Sequence, residues 1–308
     1  MWTTISEALR RPKPFFHCPC STTGIEISKR QSIHSTMPDV EYYRDIYGEL
    51  EKTILQNIES PEGFDDRMGR FLEQYGPGRL LSDDDYYWTM VYVAFYSGMN
   101  AEIVTHRRAT IRSYLSRYQR AASYDDRMIH RMMTDPRMIG HERKIKASIQ
   151  NAKEVARLVR RYGSFRAYVE SFGSMESMEN ILRFRNDLVG RFSYLGPITS
   201  YHFMMDIGLP VLKPDRVVIR VLERLALVPK GLSDEETMLE TIRQGKLISE
   251  ASGKVLRQVD IMLVSFGQVG GNSDLGLMEG ICLKDEPRCT ICNLKGRCIF
   301  YMNHMSGT

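Results

Sequence analysis

Apolar residues recur along most of the chain at spacings of three and four positions, which is the period of an amphipathic α-helix. The stripe is clear near residue 50, where it consists of Tyr43, Ile46, Tyr47, Leu50 and Ile54. A second segment, Tyr86 to Tyr96, is apolar nearly all round and therefore predicts a central, buried helix. Asp83 and Asp84 precede it at positions typical of helix N-caps.

The segment from Arg143 to Arg161 predicts a longer helix with one apolar and one basic face. Its apolar stripe consists of Ile145, Ile149, Ala152, Ala156 and Val159, and its basic positions are Lys144, Lys146, Lys153, Arg157 and Arg160. Similar patterns predict further helices at about residues 102–119, 126–133, 164–171, 176–192, 197–207, 215–226, 234–248 and 252–266. The sequence shows no convincing alternating run and no internal repeat, so we expect an all-α protein.

The composition is that of an ordinary folded protein. Hydrophobic residues make up 43% and charged residues 26% of the 308 positions, which excludes a disordered or collagen-like chain. This length allows two compact domains or one bilobed unit. The longest apolar runs, such as Val91–Tyr96 and Ile261–Phe266, are far shorter than the ~18 residues that a membrane-spanning helix needs. We therefore expect no membrane association.

Positive charge is concentrated in one stretch of the chain. The net charge is only +4, yet residues 101–170 hold 16 Lys and Arg against 7 Asp and Glu, an excess of nine. Such a stretch attracts polyanions, among which nucleic acid is the commonest partner. A solvated basic helix face is the alternative interpretation.

The first residues differ from the rest of the chain. The first 37 positions contain ten Ser and Thr, five Lys and Arg and only two acids, without a persistent helical period. We expect residues 1–38 to be a flexible extension. It lacks the apolar core of a secretory signal, although it weakly resembles an organellar transit peptide. The expected location is the cytoplasm or nucleoid, with an organelle or the nucleus as the alternative if the extension is a targeting peptide.

Four of the six cysteines lie close together near the end of the sequence. Cys282, Cys289, Cys292 and Cys298 are spaced so that four thiolates can close around one metal centre. The single Cys-x2-Cys pair with a long arm on either side favours a [4Fe–4S] cluster over zinc, because a zinc ribbon usually offers two such pairs. Disulfide bonds are a poorer alternative, since nothing indicates secretion.

Two further features lie between the basic stretch and the cysteines. Leu195-Gly196-Pro197 is a turn between two predicted helices, and a helix that follows such a turn leaves N–H groups unpaired for a phosphate oxygen. Nineteen positions after Gly196, Asp215 follows a proline and precedes an apolar-periodic segment. Taken alone, the turn is a helix connection and Asp215 is an N-cap.

The cysteine spacing and the segment from Lys284 to Cys292 resemble the endonuclease III and adenine glycosylase branch of the helix-hairpin-helix DNA glycosylases. The resemblance implies a bilobed, all-α helix-hairpin-helix fold with a C-terminal [4Fe–4S] cluster loop. It also implies that Lys284 and Arg288, in the loop between the first two cysteines, contact DNA phosphates.

The glycine-containing turn resembles the hairpin with which these enzymes hold the DNA backbone. The resemblance implies DNA contacts by Gly196, Ile198 and Thr199, and it allows a K⁺ or Na⁺ ion at the hairpin carbonyls. Tyr194 stands where the family's Gly-Val-Gly pattern has its first glycine, so we expect the hairpin to be tighter or tilted.

The segment from Pro214 to Val221 resembles the motif that carries the catalytic aspartate of these glycosylases, and the resemblance makes Asp215 that residue. A helix N-terminus keeps a carboxylate ionised and fixed. Cleavage of an N-glycosidic bond builds positive charge on the sugar, and a fixed negative charge stabilises that cation or orients a water.

The position of Ile198 also bears on the reaction. In the bifunctional members a lysine stands there and attacks C1′ of the sugar as a nucleophile. The isoleucine therefore predicts a monofunctional glycosylase, which leaves an abasic site. Two alternatives stay open: a non-catalytic iron–sulfur DNA-binding module in which Asp215 only caps a helix, and a bifunctional glycosylase/AP lyase that uses another amine.

The middle of the chain resembles a second branch, 3-methyladenine DNA glycosylase I, in the segments Ser82–Ala101, Gly140–Ala152 and Leu195–Leu209. Val93 and Ala101 stand where that family has a glutamate and a tryptophan in its base pocket, so we expect a pocket of Val93, Tyr96 and Ala101 for a bulkier or neutral modified base. By position, Asn100 resembles the residue that fills the gap left by a flipped base.

Together these patterns predict how the chain is organised. We expect an N-terminal helix in residues 39–78 that packs on the C-terminal lobe, a six-helix domain in 79–207 that ends in the hairpin, and a lobe in 208–308 with Asp215 and the cluster loop. The expected partner is double-stranded DNA with a modified base, bound by a monomer.

Overall fold

The protein is represented by a computed structural model that describes residues 39–304, and this part of the chain is built from α-helices. They are α1 (Val40–Leu55), α2 (Phe64–Tyr75), α3 (Asp83–Tyr96), α4 (Ala101–Leu115), α5 (Tyr118–Ala122), α6 (Asp126–Thr134), α7 (Glu142–Tyr162), α8 (Phe165–Glu170), α9 (Met178–Arg191), α10 (Thr199–Asp206), α11 (Arg216–Arg224), α12 (Asp234–Ser252), α13 (Leu256–Gly267) and α14 (Ile299–His304). Short 3-10 helices lie at Pro61–Gly63, Cys289–Ile291 and Asn293–Arg297.

The predicted all-α class is confirmed. Between residues 39 and 304 the β-structure consists of two isolated bridges, Ile58 with Leu277 and Asn272 with Leu277. In the same part of the chain no helix is both long and apolar enough to cross a membrane. The extension predicted in residues 1–38 lies outside the described residues.

The N-cap of α3 differs from the prediction. The cap is Ser82, which forms a capping box with Asp85, and not Asp83 or Asp84. Those two carboxylates instead accept hydrogen bonds from the first amides of other helices, Asp83 from Phe165 in α8 and Asp84 from Tyr118 in α5. The acidic run at the start of α3 therefore joins three helix N-termini.

Helix α3 is buried as predicted and forms the centre of the core. It packs against α4, α5, α7, α8 and α10, and its residues Tyr87, Met90 and Phe95 are completely buried. Helix α7 runs beside it with the predicted apolar stripe inside, where Ile145, Ile149 and Ala152 are buried. Helix α3 leads into the turn that borders the candidate site, and α7 supports the hairpin between α9 and α10 through Asn151.

Helix α1 packs against α12, α13 and the 3-10 helix Asn293–Arg297. The backbone N–H of Asn293 donates to Oγ1 of Thr53 at 3.1 Å, and Arg297 forms an ion pair of 2.6 Å with Asp45. The C-terminal loop with the four cysteines is thereby fixed to the first helix.

Candidate active site

A cleft of about 850 Å³ opens among α3, α4, α10, α13 and the segment that precedes α11. The predicted residues Tyr96, Asn100 and Asp215 all line it. The loop that follows α13, residues 268–274, lines it as well. The structure therefore brings the predicted catalytic residue and two predicted base-handling residues to one cavity.

Asp215 is the N-cap of α11, as its position after Pro214 predicted. Its Oδ1 accepts hydrogen bonds from the N–H groups of Val217 at 2.9 Å and Val218 at 3.2 Å. Its Oδ2 lies 3.2 Å from the amine nitrogen of Lys213. The helix end thus fixes one oxygen, and the other oxygen shares the cleft with an amine.

A network of buried charges supports this segment. Asp260 accepts a hydrogen bond from the backbone N–H of Lys213 at 3.0 Å and forms an ion pair of 2.7 Å with Arg257. Arg257 also pairs with Asp206 at 3.3 Å, and His202 lies 3.2 Å from the other oxygen of Asp206. Buried charges are stable only when they are paired, so this network holds the backbone beside Asp215 in place.

The two buried carboxylates have shifted pKa values of opposite sign. Burial raises the pKa of Asp260, and the nearby charge of Asp215 adds to this, although Arg257 opposes it. Burial acts in the same direction on Asp206, but His202 and Arg257 together outweigh it, so the pKa of Asp206 lies below its ordinary value.

The α3–α4 turn places Asn100 at the edge of the cleft. Asn100 is the N-cap of α4, and its Oδ1 accepts hydrogen bonds from the N–H groups of Glu102 at 2.8 Å and Ile103 at 3.4 Å. The amine of Lys144 donates to the carbonyls of Ala94 at 2.7 Å and Phe95 at 3.1 Å and also to that of Ser97.

Lys144 therefore caps the C-terminus of α3. It was expected on the basic face of α7, but it is buried, and burial lowers its pKa. The carbonyls at a helix C-terminus attract a cation, which explains why a lysine is stable at this position.

The hairpin keeps a backbone conformation that normally requires glycine. Tyr194 has φ 65°, in the left-handed region, which costs an ordinary residue about 1–2 kcal/mol. Asn151 of α7 holds the preceding residue through two hydrogen bonds of 2.9 Å, from its amide to the carbonyl of Ser193 and from the N–H of Ser193 to its Oδ1. Contacts from α7 therefore support the segment in which Tyr194 adopts this conformation without a glycine.

The residues predicted to contact DNA at the hairpin are close together. Oγ1 of Thr199 accepts from the N–H of Gly196 at 2.7 Å and donates to the carbonyl of Tyr194 at 2.7 Å. Helix α10 begins after Ile198 without a capping side chain. Ile198 lines a cavity with Arg185 and Thr199, and this cavity is not the cleft of Asp215.

The predicted base pocket is only partly assembled. Tyr96 lines the cleft, where its hydroxyl lies 2.7 Å from Oγ1 of Thr105 and its ring lies 4.2 Å from that of Tyr92. Val93 is completely buried in the core and does not line the cleft. The side chain of Ala101 lies outside the described part of the structure.

Several residues that line the cleft were not predicted from the sequence. They are His202, Lys213, Arg257, Asp260 and the loop 268–274. One signal was available, because Arg257 and Asp260 are charged residues inside the otherwise apolar segment of α13. Nothing in the sequence places the loop at the cleft.

The four C-terminal cysteines line one small cavity together with Arg224 and Phe300. Cys298 is buried and the other three are half-buried. Burial and the neighbouring thiols raise the pKa of Cys292 to about 12. Between residues 39 and 304, no three His, Cys, Asp or Glu side chains form a group that could hold a single metal ion.

Arg224 links this cavity to α11, the helix that Asp215 caps. Its guanidinium donates to the sulfur of Cys282 at 3.2 Å and to the carbonyl of Leu283 at 2.7 Å, and it lies 4.1 Å from the ring centre of Phe300. Of the two residues predicted to contact phosphates in the adjoining loop, Lys284 is exposed and Arg288 is half-buried.

The chain is similar to known proteins in its middle part. Residues 73–213, somewhat less than half of the chain, match the model of the methyladenine glycosylase family. No curated protein matches the chain in a sequence comparison.

Solved structures of DNA glycosylases are also similar. The 3-methyladenine DNA glycosylase I of Staphylococcus aureus is 16% identical, covering 52% of this chain and 92% of that chain with a TM-score of 0.41. The Methanocaldococcus jannaschii 8-oxoguanine glycosylase/lyase in complex with DNA is 20% identical. The match covers 70% of this chain and 94% of that chain with a TM-score of 0.44. A trapped endonuclease III–DNA covalent intermediate is 17% identical. The match covers 79% of this chain and 95% of that chain with a TM-score of 0.48.

Proposed function

We propose that this chain, whose residues 73–213 match the model of the methyladenine glycosylase family, is a DNA glycosylase that excises a damaged or modified base. The observation that carries the proposal is the position of Asp215. Its carboxylate is fixed by two helix amides at the wall of a cleft of about 850 Å³, where one oxygen faces an amine.

The chemistry requires a fixed negative charge. When the bond between base and deoxyribose breaks, the sugar acquires oxocarbenium character, and a carboxylate held beside it lowers the energy of that state or orients the attacking water. Asp215 is fixed before the substrate arrives, so little reorganisation is needed during the reaction. A cleft of this size accommodates a base that has been flipped out of the DNA stack.

Several surfaces are suited to the DNA backbone. Helix α10 follows the hairpin without a capping side chain, and the positive end of a helix attracts a phosphate oxygen. Lys284 is exposed in the cysteine loop, and residues 101–170 carry an excess of nine positive charges. We propose that residues 79–207 and 208–308 form two lobes that hold the DNA between them, as a monomer on double-stranded DNA.

The first product of the proposed reaction is an abasic site. Ile198 offers no amine and lines a cavity other than the cleft, so in this proposal a water oriented by Asp215, and not residue 198, releases the base. Asn100 and Tyr96 both line the cleft, and we propose that Asn100 fills the gap in the DNA and that Tyr96 contacts the flipped base. A K⁺ or Na⁺ ion bound by the hairpin carbonyls is a further prediction. The carbonyls of Tyr194 and Gly196 each accept a hydrogen bond within the protein.

The cysteine cavity fits a [4Fe–4S] cluster in its chemistry. Cys282, Cys289, Cys292 and Cys298 line one cavity, and four thiolates so close together repel one another unless a cationic centre compensates their charge, which iron would supply. Arg224 is placed to donate a hydrogen bond to the sulfur of Cys282. We propose that these four residues hold the cluster, which would fix the loop that presents Lys284 and Arg288 to DNA.

The test is to identify the released base. The protein and its Asp215→Asn variant are incubated with alkylated, deaminated, oxidised and phage-modified DNA, and free bases are measured by mass spectrometry. A base that only the unmutated protein releases supports the proposal and names the substrate. If neither protein releases a base while both bind the DNA, the protein is a DNA-binding module in which Asp215 is only a helix cap.

A further inference from the structure

The cleft contains an amine beside the proposed catalytic carboxylate. Nζ of Lys213 lies 3.2 Å from Oδ2 of Asp215, and Lys213 is the one lysine among the described residues that line the cleft. The side chain of Lys213 is 28% exposed, so a substrate in the cleft can reach its amine.

Lys213 is also held in place by its own backbone. Its N–H donates to the buried carboxylate of Asp260, and Pro214 restricts the backbone between Lys213 and Asp215. Since Oδ1 of Asp215 is occupied by two helix amides, Oδ2 is the oxygen available to the amine. A short rigid segment therefore presents an amine and a proton acceptor side by side.

We propose that Lys213 is the nucleophile of an abasic-site lyase, a second activity that cleaves the DNA strand after base release. The proposal rests on the proposed function for the location of DNA in the cleft. Lys213 supplies the amine that Ile198 lacks. Lys213 lines the cleft of Asp215, whereas Ile198 lines a separate cavity. An abasic deoxyribose opens to an aldehyde at C1′, with which a primary amine forms an imine.

The atoms of this reaction balance with water as the one further reactant. The ammonium of Lys213 gives a proton to Oδ2 of Asp215, and the neutral amine attacks C1′ to form a carbinolamine. The protonated Asp215 returns that proton to the carbinolamine hydroxyl, which leaves as water and gives the imine. The carboxylate then takes a proton from C2′, the C3′–O bond breaks, and the 3′-phosphate leaves with its electron pair, after which Asp215 releases the proton to solvent. Water finally hydrolyses the imine and restores the amine of Lys213.

The experiment uses DNA that already contains an abasic site, made by excising uracil from a defined duplex with uracil-DNA glycosylase. The full-length protein is mixed with this DNA and sodium borohydride, which reduces an imine to a stable covalent adduct. Lys213→Arg keeps a positive charge beside Asp215 but cannot form the imine, and Lys213→Ala removes both. Lys254→Arg is the matched control, because Lys254 pairs with Glu51 and does not line the cleft.

The expected result is an adduct with the unmutated protein and with Lys254→Arg, and loss of the adduct to background with both Lys213 variants. Peptide mapping of the reduced adduct should place the deoxyribose remnant on Lys213. An adduct that persists in Lys213→Arg, that maps to another amine, or that never forms overturns the proposal. Thermal melting of each variant shows that a loss is not caused by unfolding.

This test is independent of the base that the protein excises. Base release without any adduct would overturn the lyase and leave the glycosylase intact. An adduct at Lys213 without release of any base would support the lyase and count against the glycosylase.

Discussion

Arg257 donates to the carboxylate of Asp260 at 2.7 Å, and both side chains are almost completely removed from solvent. The same guanidinium reaches Asp206 at 3.3 Å, so one cation pairs with two buried carboxylates. Because Asp260 also accepts the backbone N–H of Lys213, this ion pair supports the segment that leads into Asp215. The site thus depends on charges that do not themselves take part in the proposed chemistry.

Replacing Arg257 by methionine should destabilise the protein strongly. The change leaves the buried carboxylate of Asp260 without its cation and that of Asp206 with His202 alone, and breaking a buried pair in this way costs about 3–5 kcal/mol. The free energy of unfolding is measured by urea denaturation. Arg157→Met is the control, because Arg157 pairs with Glu154 at the surface with 44% of its side chain exposed, and such pairs contribute about 1 kcal/mol or less. Equal effects of the two substitutions would show that the network is not a structural support.

Lys144 should be needed for the turn that presents Asn100. Lys144→Met removes a charged donor from three carbonyls at the end of α3, and hydrogen bonds to charged groups contribute about 1.5–3 kcal/mol. We expect a loss of about that size in the free energy of unfolding. Lys146→Met is the matched control on the same helix, since Lys146 is exposed and pairs with Glu142. A stability loss no larger than that of the control would contradict the capping role of Lys144.

The cysteine cavity predicts iron in the purified protein. Four thiolates that hold a [4Fe–4S] cluster should give about four irons per chain and a broad absorbance near ~400 nm. Cys289→Ser should lower the iron content and the absorbance, whereas Cys18→Ser, which leaves the four C-terminal cysteines intact, should not. Metal analysis and the absorption spectrum provide the measurement. A colourless protein that contains zinc would refute the cluster.

Lys284 should contribute to DNA binding through charge alone. Each phosphate contact releases about one counterion, and affinity falls as salt rises. Lys284→Ala should therefore make the slope of log affinity against log salt less negative by about 1 on any DNA sequence. The slope is obtained by titrating a DNA duplex at several salt concentrations. Lys52→Ala is the control, because Lys52 is also exposed but lies beside Glu49. An unchanged slope in Lys284→Ala would remove this residue from the DNA contact.

Much of the fold could be predicted from the sequence, because it depends on local patterns. The apolar stripe of α1 and the nearly uniform apolarity of α3 give the correct helices and the correct buried faces. The prediction failed where a polar side chain serves another helix. Asp83 and Asp84 were predicted to cap their own helix, but they accept hydrogen bonds from the first amides of α8 and α5. Lys144 was predicted to lie on the basic face of α7, but it caps the C-terminus of α3.

The candidate site was predictable to the extent that each residue has a local signature. Asp215 is an N-cap in both sequence and structure, and the four cysteines share one cavity as their spacing suggested. Val93 was assigned to the pocket by position along the chain, but the rotation of α3 turns it into the core. The pairing of Lys213 with Asp215 depends on the backbone path through Pro214, which the sequence does not specify.

The charge of Asp215 is the central requirement of the proposed function, and it can be separated from helix capping. Asp215→Asn keeps a capping oxygen for Val217 and Val218 but removes the negative charge, and Asp125→Asn makes the same change at the N-cap of α6, where the carboxylate accepts from Met128 at 3.0 Å. The measurement is single-turnover base release from the identified substrate. We expect release to be lost in Asp215→Asn and retained in Asp125→Asn, with both variants folded. Release at the unmutated rate by Asp215→Asn would contradict the assignment of Asp215 as the catalytic carboxylate.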